Sequence, residues 1–278
     1  MTQPLQQLIC PLDRDPLEQS ERSWCCEHGH SFDVARQGYV NLLPVQKKRS
    51  KDPGDSKAMI TARRHFLQQG HYQPIASAIA ETVLSSGNQA ILDAGCGEGY
   101  YLNYLTAAAE QQDTELAVAG LDISKWAIQA AAKRDKQVNW MVASNSAIPL
   151  ADSSVDSLLC IFGFPVTDEF KRVLKPGGRL IMVDPGAEHL QQLKAIIYAQ
   201  LKTKPKTLPI NDSQFQLDSE QRLSFPVSLS SQEAIDNLLV MTPHLYRGSA
   251  EGLKKAAQLN QIELTADVWL RVFTLSVE

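Results

Sequence analysis

No apolar run in these 278 residues approaches the roughly 18 that a bilayer-spanning helix needs. The opening stretch, MTQPLQQLICPLDRD, lacks both a basic lead and an apolar core, which predicts that no secretion signal is present. Cysteine is scarce and odd in number, five in all, which argues against the fully paired scaffold of a small secreted protein. Internal repeats and low-complexity tracts are missing too. A cytoplasmic location, away from membranes, is the resulting expectation. What is present, 44% apolar and 21% charged residues, is the composition of an ordinary globular protein. The length suits one large domain with an appendage, or two modest ones.

The net charge of −4 argues on its face against a polyanionic partner. Its distribution says otherwise. Between Val45 and His65 stand Lys47, Lys48, Arg49, Lys51, Lys57, Arg63 and Arg64 against only Asp52 and Asp55. That segment carries +5, and the rest of the chain sums to −9. Charge runs are most often solvated faces, yet one this concentrated is also how a protein meets a phosphate backbone. Lys47, Lys48, Arg49 and Lys51 are the candidate contacts.

Residues 1–44 are rich in Cys, His and turn formers. After the basic stretch, Lys57–Leu67 and Pro74–Leu84 read as helices, the second with Ile75, Ala78, Ile79 and Val83 at helical spacing. Five short apolar runs follow: Ala90–Ala94, Ala117–Ile123, Asn139–Ala143, Val155–Phe162 and Arg179–Asp184. Segments of helix length separate them, the pattern of βαβ units on a mainly parallel sheet. Ser124 can cap a helix over Lys125–Arg134. A helix is expected over Ala187–Leu201, a loop or insertion over 202–220, and a strand over Gln221–Leu229. Helices at Ser231–Met241 and Ala250–Asn260 and a last strand around Val268–Phe273 complete the reading.

The most informative segment is Asp93-Ala94-Gly95-Cys96-Gly97-Glu98-Gly99, where a strand runs into three alternating glycines and then a helix. The spacing is not the G-x-G-x-x-G that seats a pyrophosphate on a helix N-terminus. Asp93 at the strand end would repel a phosphate and suit a cation. The second strand ends in Gly120-Leu121-Asp122-Ile123-Ser124, and Asp122 can accept hydrogen bonds from both hydroxyls of a ribose. After the third strand, Ala143-Ser144-Asn145 stands where backbone and amide groups can read an adenine edge. A ligand with a ribose, no phosphate and a positive charge fits S-adenosylmethionine. The alternative is a tight strand–helix turn and nothing more.

DAGCGEG, GLDIS, DSSVDSLLC and RVLKPGGRL together resemble the class I S-adenosylmethionine-dependent methyltransferases over about residues 90–185. That resemblance implies an α/β, Rossmann-like fold with a mainly parallel seven-stranded sheet. A small zinc-finger-like module would precede it. Cys10-x-x-Asp13 and Cys26-x-x-x-His30 form two short-spaced pairs suited to a structural metal, with Asp13 offering an oxygen where a thiolate is usual. Cys25 or His28 could take Asp13's place, or the module could be metal-free and held by Trp24, Phe32 and Tyr39.

Cys10-Pro11-Leu12, His30-Ser31-Phe32-Asp33, Gly38-Tyr39-Val40-Asn41-Leu42-Leu43-Pro44, the run Lys48–Asp55, Gly70-His71-Tyr72-Gln73-Pro74 and Met241-Thr242-Pro243 occur in order. This set resembles the 23S rRNA (guanine-N1)-methyltransferases of the RlmA type over nearly the whole chain. The resemblance implies zinc on Cys, Cys, Cys and His, with Asp13 departing from the second Cys. It implies cofactor contacts at Tyr72, Gly97, Glu98 and His189, a hairpin loop of 23S rRNA as substrate, and a homodimer as a frequent assembly. The expected division is a zinc-knuckle-like RNA-recognition module at 1–44, a basic linker at 45–73 and a methyltransferase domain at 74–278. A small-molecule methyltransferase is the competing reading, since the 90–185 core would serve either. Phe164, after the fourth strand, and Asp184, at the end of the fifth, are the candidates for holding the target base and taking its proton.

Overall fold

The computed structural model describes residues 2–47, 50–200, 208–210 and 212–277. The N-terminal segment contributes five three-residue strands, β1 (Thr2–Pro4), β2 (Glu18–Ser20), β3 (Ser23–Cys25), β4 (Ser31–Asp33) and β5 (Tyr39–Asn41). Two helices follow, α1 (Lys57–Gln68) and α2 (Gln73–Leu84). The alternating part runs β6 (Ala90–Ala94), α3 (Tyr100–Gln111), β7 (Leu116–Asp122), α4 (Lys125–Arg134), β8 (Asn139–Val142), β9 (Val155–Ile161), α5 (Thr167–Val173) and β10 (Leu174–Pro185). The last third comprises α6 (Gln191–Ile197), β11 (Phe215–Leu229), α7 (Gln232–Val240), α8 (His244–Arg247), α9 (Ala250–Ala256) and β12 (Ile262–Leu275).

The apolar runs become strands because each is buried on both faces, as in parallel sheets covered by helices. Together with the C-terminal β11 and β12 they lie in the order β11-β12-β10-β9-β6-β7-β8, with β12 antiparallel to both neighbours and the other pairings parallel. This is the class I methyltransferase arrangement. Crossovers from β6 run one way to β7 and β8, while β9 and β10 lie on its other side. The C-terminal ends of β6 and β9 therefore flank the switch point at which such sheets bind ligands.

The N-terminal segment is stitched into this sheet at two places. β5 extends it beyond β8, Tyr39 opposite Trp140. β1 runs beside the first half of β7, Thr2 opposite Leu116, where β8 has not yet begun. The hairpin β2-β3-β4 stands apart as its own small sheet, with Trp24 opposite Phe32. Leu5, Leu8, Cys10, Leu17 and Trp24 join Leu92, Met141, Phe170 and Met182 in one buried cluster on one face of the sheet. Burying side chains of that size contributes about 1.5–3 kcal/mol each. On the other face, α1, α2 and α3 supply Phe66, Ile79 and Leu105 to a second cluster with Trp140.

Three expectations need correction. The strand expected at Gln221–Leu229 begins at Phe215, so residues 215–220 of the expected loop are extended. β11 is an edge strand paired only with β12, and its solvent face admits polar residues that conceal it in the sequence. Residues 201–207 and Asn211 lie outside the described residues. The helix expected over Ala187–Leu201 is the shorter α6, because Leu190 adopts φ +54 and interrupts helical geometry before Gln191. α8, which follows Met241-Thr242-Pro243, was not anticipated.

Candidate functional site

The cleft is built on the glycine turn after β6. Gly95, Gly97 and Gly99 have φ of +96, +56 and +80, conformations that side chains disfavour. The amides of Gly95 and Cys96 both donate to the Leu121 carbonyl, which fastens the turn to β7. Gly99 has a second reason to lack a side chain, since a Cβ there would stand 2.6 Å from the Trp140 ring. Its part in the turn is thus also one of packing against the core.

Two carboxylates line the turn. Asp122 accepts from the Gly97 amide through Oδ2 (3.0 Å) and from the Ser124 amide through Oδ1 (2.8 Å), and burial still holds its pKa above the ordinary range. Asp93 is buried, and neither of its oxygens has a hydrogen-bond partner among the described residues. Burial, with the Asp122 charge nearby, pushes it up to about 8. A buried carboxylate without donors is costly, and a cation with N–H donors would relieve it. The acidic strand ends and the exposed Gly95 between them thus fit a cationic ribose-bearing group such as S-adenosylmethionine.

An aromatic group packs in the same buried cluster as Cys96 of the turn. Tyr72 at the start of α2, Phe162 just after β9 and His189 in the loop after β10 form a triangle with ring centroids 6.0–6.1 Å apart. His189 Nδ1 accepts from the Asp267 amide (3.2 Å), which leaves the proton on Nε2 to donate to the Tyr72 hydroxyl (3.4 Å). The sequence placed His189 on a helix, but it stands in the turn before α6. Asp267, missed in the sequence, organises this loop. It is fully buried, accepts from Glu188 N–H (2.8 Å) and Arg222 Nε (2.7 Å), and packs so closely that a Cβ on Gly186 would fall 2.1 Å from Oδ2.

The remaining candidates are dispersed. Glu98 is buried, with Oε2 2.9 Å from Arg134 of α4. Ser144 bonds Ser146 across a tight turn (2.8 Å), and the neighbouring Asn145 amide donates to the Ala94 carbonyl (3.3 Å). Phe164 is 88% exposed beyond β9. Asp184 lies 3.5 Å from Arg271, which also binds Glu220 (2.5 Å), making an ion-pair chain across β10, β12 and β11. Lys47 ends a short 3-10 turn and is exposed, as is Lys51, whereas Lys48 and Arg49 lie outside the described residues. Arg63 does not belong to an open basic face. It pairs with Asp55, donates to the Met241 carbonyl (3.1 Å) and reaches within 3.6 Å of where a Gly97 Cβ would sit. The Met241 motif was the one sequence signal for that tie.

In the N-terminal module the two short-spaced pairs converge. One donor atom each from Cys10, Asp13, Cys26 and His30 lies within 4.8 Å of the others. Both sulfurs are 3.5 Å from His30 Nδ1, and Cys26 Sγ is 3.3 Å from Asp13 Oδ2. A tetrahedron with zinc–ligand bonds of about 2.0–2.3 Å has edges of roughly 3.3–3.8 Å, so the donor set fits that ion. Cys25 is turned to Ser23 and Ser31, and His28 pairs with Asp15. Burial and the Asp13 carboxylate push the Cys10 thiol up to about 11, so metal uptake must displace its proton. Protein purified without chelators is expected to hold one zinc per chain by elemental analysis. Stripping it should make residues 8–34 sensitive to protease, and a metal-free preparation of equal resistance would count against the site.

Comparison with known proteins agrees at both ends. A zinc-ribbon family described as "RlmA, N-terminal" matches residues 8–51, and a family described as "Methyltransferase domain" matches residues 92–182. The chain is 36% identical to a 23S rRNA (guanine(748)-N(1))-methyltransferase of Streptomyces fradiae, over 67% of this chain and 66% of that one. Two relatives named in the same class of 23S rRNA (guanine-N(1)-)-methyltransferase come from Micromonospora griseorubida and Bacillus subtilis. They are 37% identical over 68% of this chain and 69% of the relative, and 32% identical over 88% of each. No helix among the described residues is long and apolar enough to cross a membrane.

Proposed function

The chain belongs to the 23S rRNA (guanine-N1)-methyltransferase family, and from that premise we propose that it methylates N1 of a guanine in a hairpin loop of 23S rRNA. Bound S-adenosylmethionine would supply an electrophilic methyl group on a sulfonium. The observation that carries the reading is the pair of acidic strand ends, with Asp93 lacking a donor among the described residues, in one chain with a cysteine–histidine module and a basic flank. A small substrate needs neither of the latter two.

In this reading Asp122 takes the ribose hydroxyls and Asp93 faces the positive charge. Gly95 and Gly97 let the ligand approach the main chain. The Tyr72–Phe162–His189 wall keeps water from the reacting atoms. Guanine N1 carries a proton in its neutral form, and that proton would pass to a base or to solvent as the N1–carbon bond forms and the carbon–sulfur bond breaks. A paired base cannot present N1, so the nucleotide is taken unpaired or extruded, at a cost of a few kcal/mol. Phe164, exposed beside the switch point, offers that base a stacking face.

Incubation with labelled S-adenosylmethionine and undermethylated 23S rRNA, followed by primer extension, tests the proposal. The expected result is label in the RNA and one new strong stop beside a loop guanine, because N1 methylation blocks the pairing edge. Unlabelled RNA with turnover of a small acceptor would favour the competing enzyme class.

A further inference from the structure

α1 and α4 pack side by side, and each turns a basic stripe toward the other. On α1 the stripe is Lys57, Thr61, Arg64 and Gln68, and on α4 it is Trp126, Gln129, Lys133 and Arg134. The spacings of three, four and seven residues put each set on one helical face. Between them lies a groove of about 430 Å³ whose walls, among the described residues, carry four cations and no carboxylate. Arg134 is matched by the buried Glu98 behind it. Lys57, Arg64 and Lys133 have no ion-pair partner among the described residues. The buried Glu98 charge serves Arg64 as well as Arg134, so the cations on the two facing helices outnumber the carboxylate behind them, and a polyanion would relieve their repulsion.

The groove does not stop at the helices. Trp126 is 38% exposed and also borders a second cavity, whose walls include Lys51, Lys125 and Ile123 and one carboxylate, Asp52. Ile123 directly follows Asp122, so this second cavity, at the first turn of α4, lies next to the strand end that carries Asp122. An aromatic face set among cations suits a nucleic-acid strand, with phosphates on the Lys and Arg groups and a base on the ring.

We propose that the groove between α1 and α4 is the docking track for the RNA strand flanking the target nucleotide, with Trp126 as a stacking platform. This rests on the rRNA reading above and extends its binding surface from the Lys47–Lys51 segment, whose Lys51 borders the second cavity, onto α1 and α4. Binding of a labelled 23S rRNA hairpin fragment to the full-length protein, measured by fluorescence anisotropy over a range of KCl concentrations, tests it. The triple variant K57Q/R64Q/K133Q should bind at least about tenfold more weakly, and its salt slope should fall by about 2, since each phosphate contact on a single strand contributes about 0.7. W126A should also lose about tenfold, while W126F, which retains a ring, should bind close to wild type. Titration with S-adenosylmethionine serves as the fold check on every variant. Variants with wild-type affinity and slope, on a wild-type protein that does bind and methylate the RNA, overturn the track alone. A wild-type protein that neither binds nor methylates overturns both readings. Quenching of tryptophan emission by an acidic peptide but not by the RNA, lost in W126F, also overturns the track.

Discussion

An Asp122→Ala variant is expected to lose S-adenosylmethionine affinity by about 100-fold or more while keeping its fold. The carboxylate is more than a ribose acceptor. Its two oxygens receive the amides of Gly97 and Ser124, so one side chain holds the glycine turn after β6 in register with the end of β7. Alanine removes both anchors and leaves two amides without acceptors. Charge-assisted bonds of this type contribute about 1.5–3 kcal/mol each, and the turn they hold is the one the ligand must approach closely. Asparagine is no conservative substitute, because its amide group must face one of two N–H donors. Calorimetric titration, with a thermal melt as control, reads the result. An alanine variant that binds as tightly as the wild type would place the ribose elsewhere.

Sequence legibility followed the range of the interactions. β6, β7, β8 and β9 were plain because a doubly covered parallel strand must be apolar along its length, and the glycine turn announced itself by composition. The helix cap at Ser124 was readable for the same local reason, and its hydroxyl accepts from the Ala127 amide. The start of β11 was not legible, since an edge strand can carry QLDSEQR on its open side and still pair. Nor was the role of Gly99, whose missing side chain answers a tryptophan 41 positions away as much as a ligand.

Charged residues misled most where their partners were distant. Counting Arg63 with the basic segment was correct arithmetic, yet Asp55 and the Met241 carbonyl hold it against the glycine turn. Lys57 and Arg64, counted with it, do face outward, but toward α4. The basic segment thus divides into a part that braces the cleft and a part that faces a groove. Only the tertiary contact between α1 and α4 makes that distinction. Tyr72 and His189, linked in the sequence by resemblance alone, lie 3.4 Å apart although 117 positions separate them.

Asp267, invisible in the sequence, carries the other large expected effect. Asp267→Ala should lower stability by roughly 2–4 kcal/mol and weaken cofactor binding as well. Its carboxylate is enclosed by the loop after β10, with the Glu188 amide on one oxygen and Arg222 on the other. Arg222 is 46% exposed and would be rehydrated once freed, so most of the cost falls on the loop. That loop carries His189, whose Nδ1 is set by the Asp267 amide and whose Nε2 meets Tyr72. Burial raises the pKa of Asp267, but Arg222 and the Glu188 amide outweigh it and hold the group below the ordinary carboxylate range. A depressed pKa contributes stability above the unfolded value near 4, and that contribution is lost as pH falls through the folded value. The stability gap between wild type and Asp267→Asn should therefore be full at neutral pH and narrow below about pH 4 in denaturant titrations. A gap that stayed constant on acidification would mean that the ionised carboxylate does not hold the loop. Asp122 and Asp267 then solve one problem twice. On each side of the cleft, a carboxylate with two donors fixes a loop that the backbone alone would leave free.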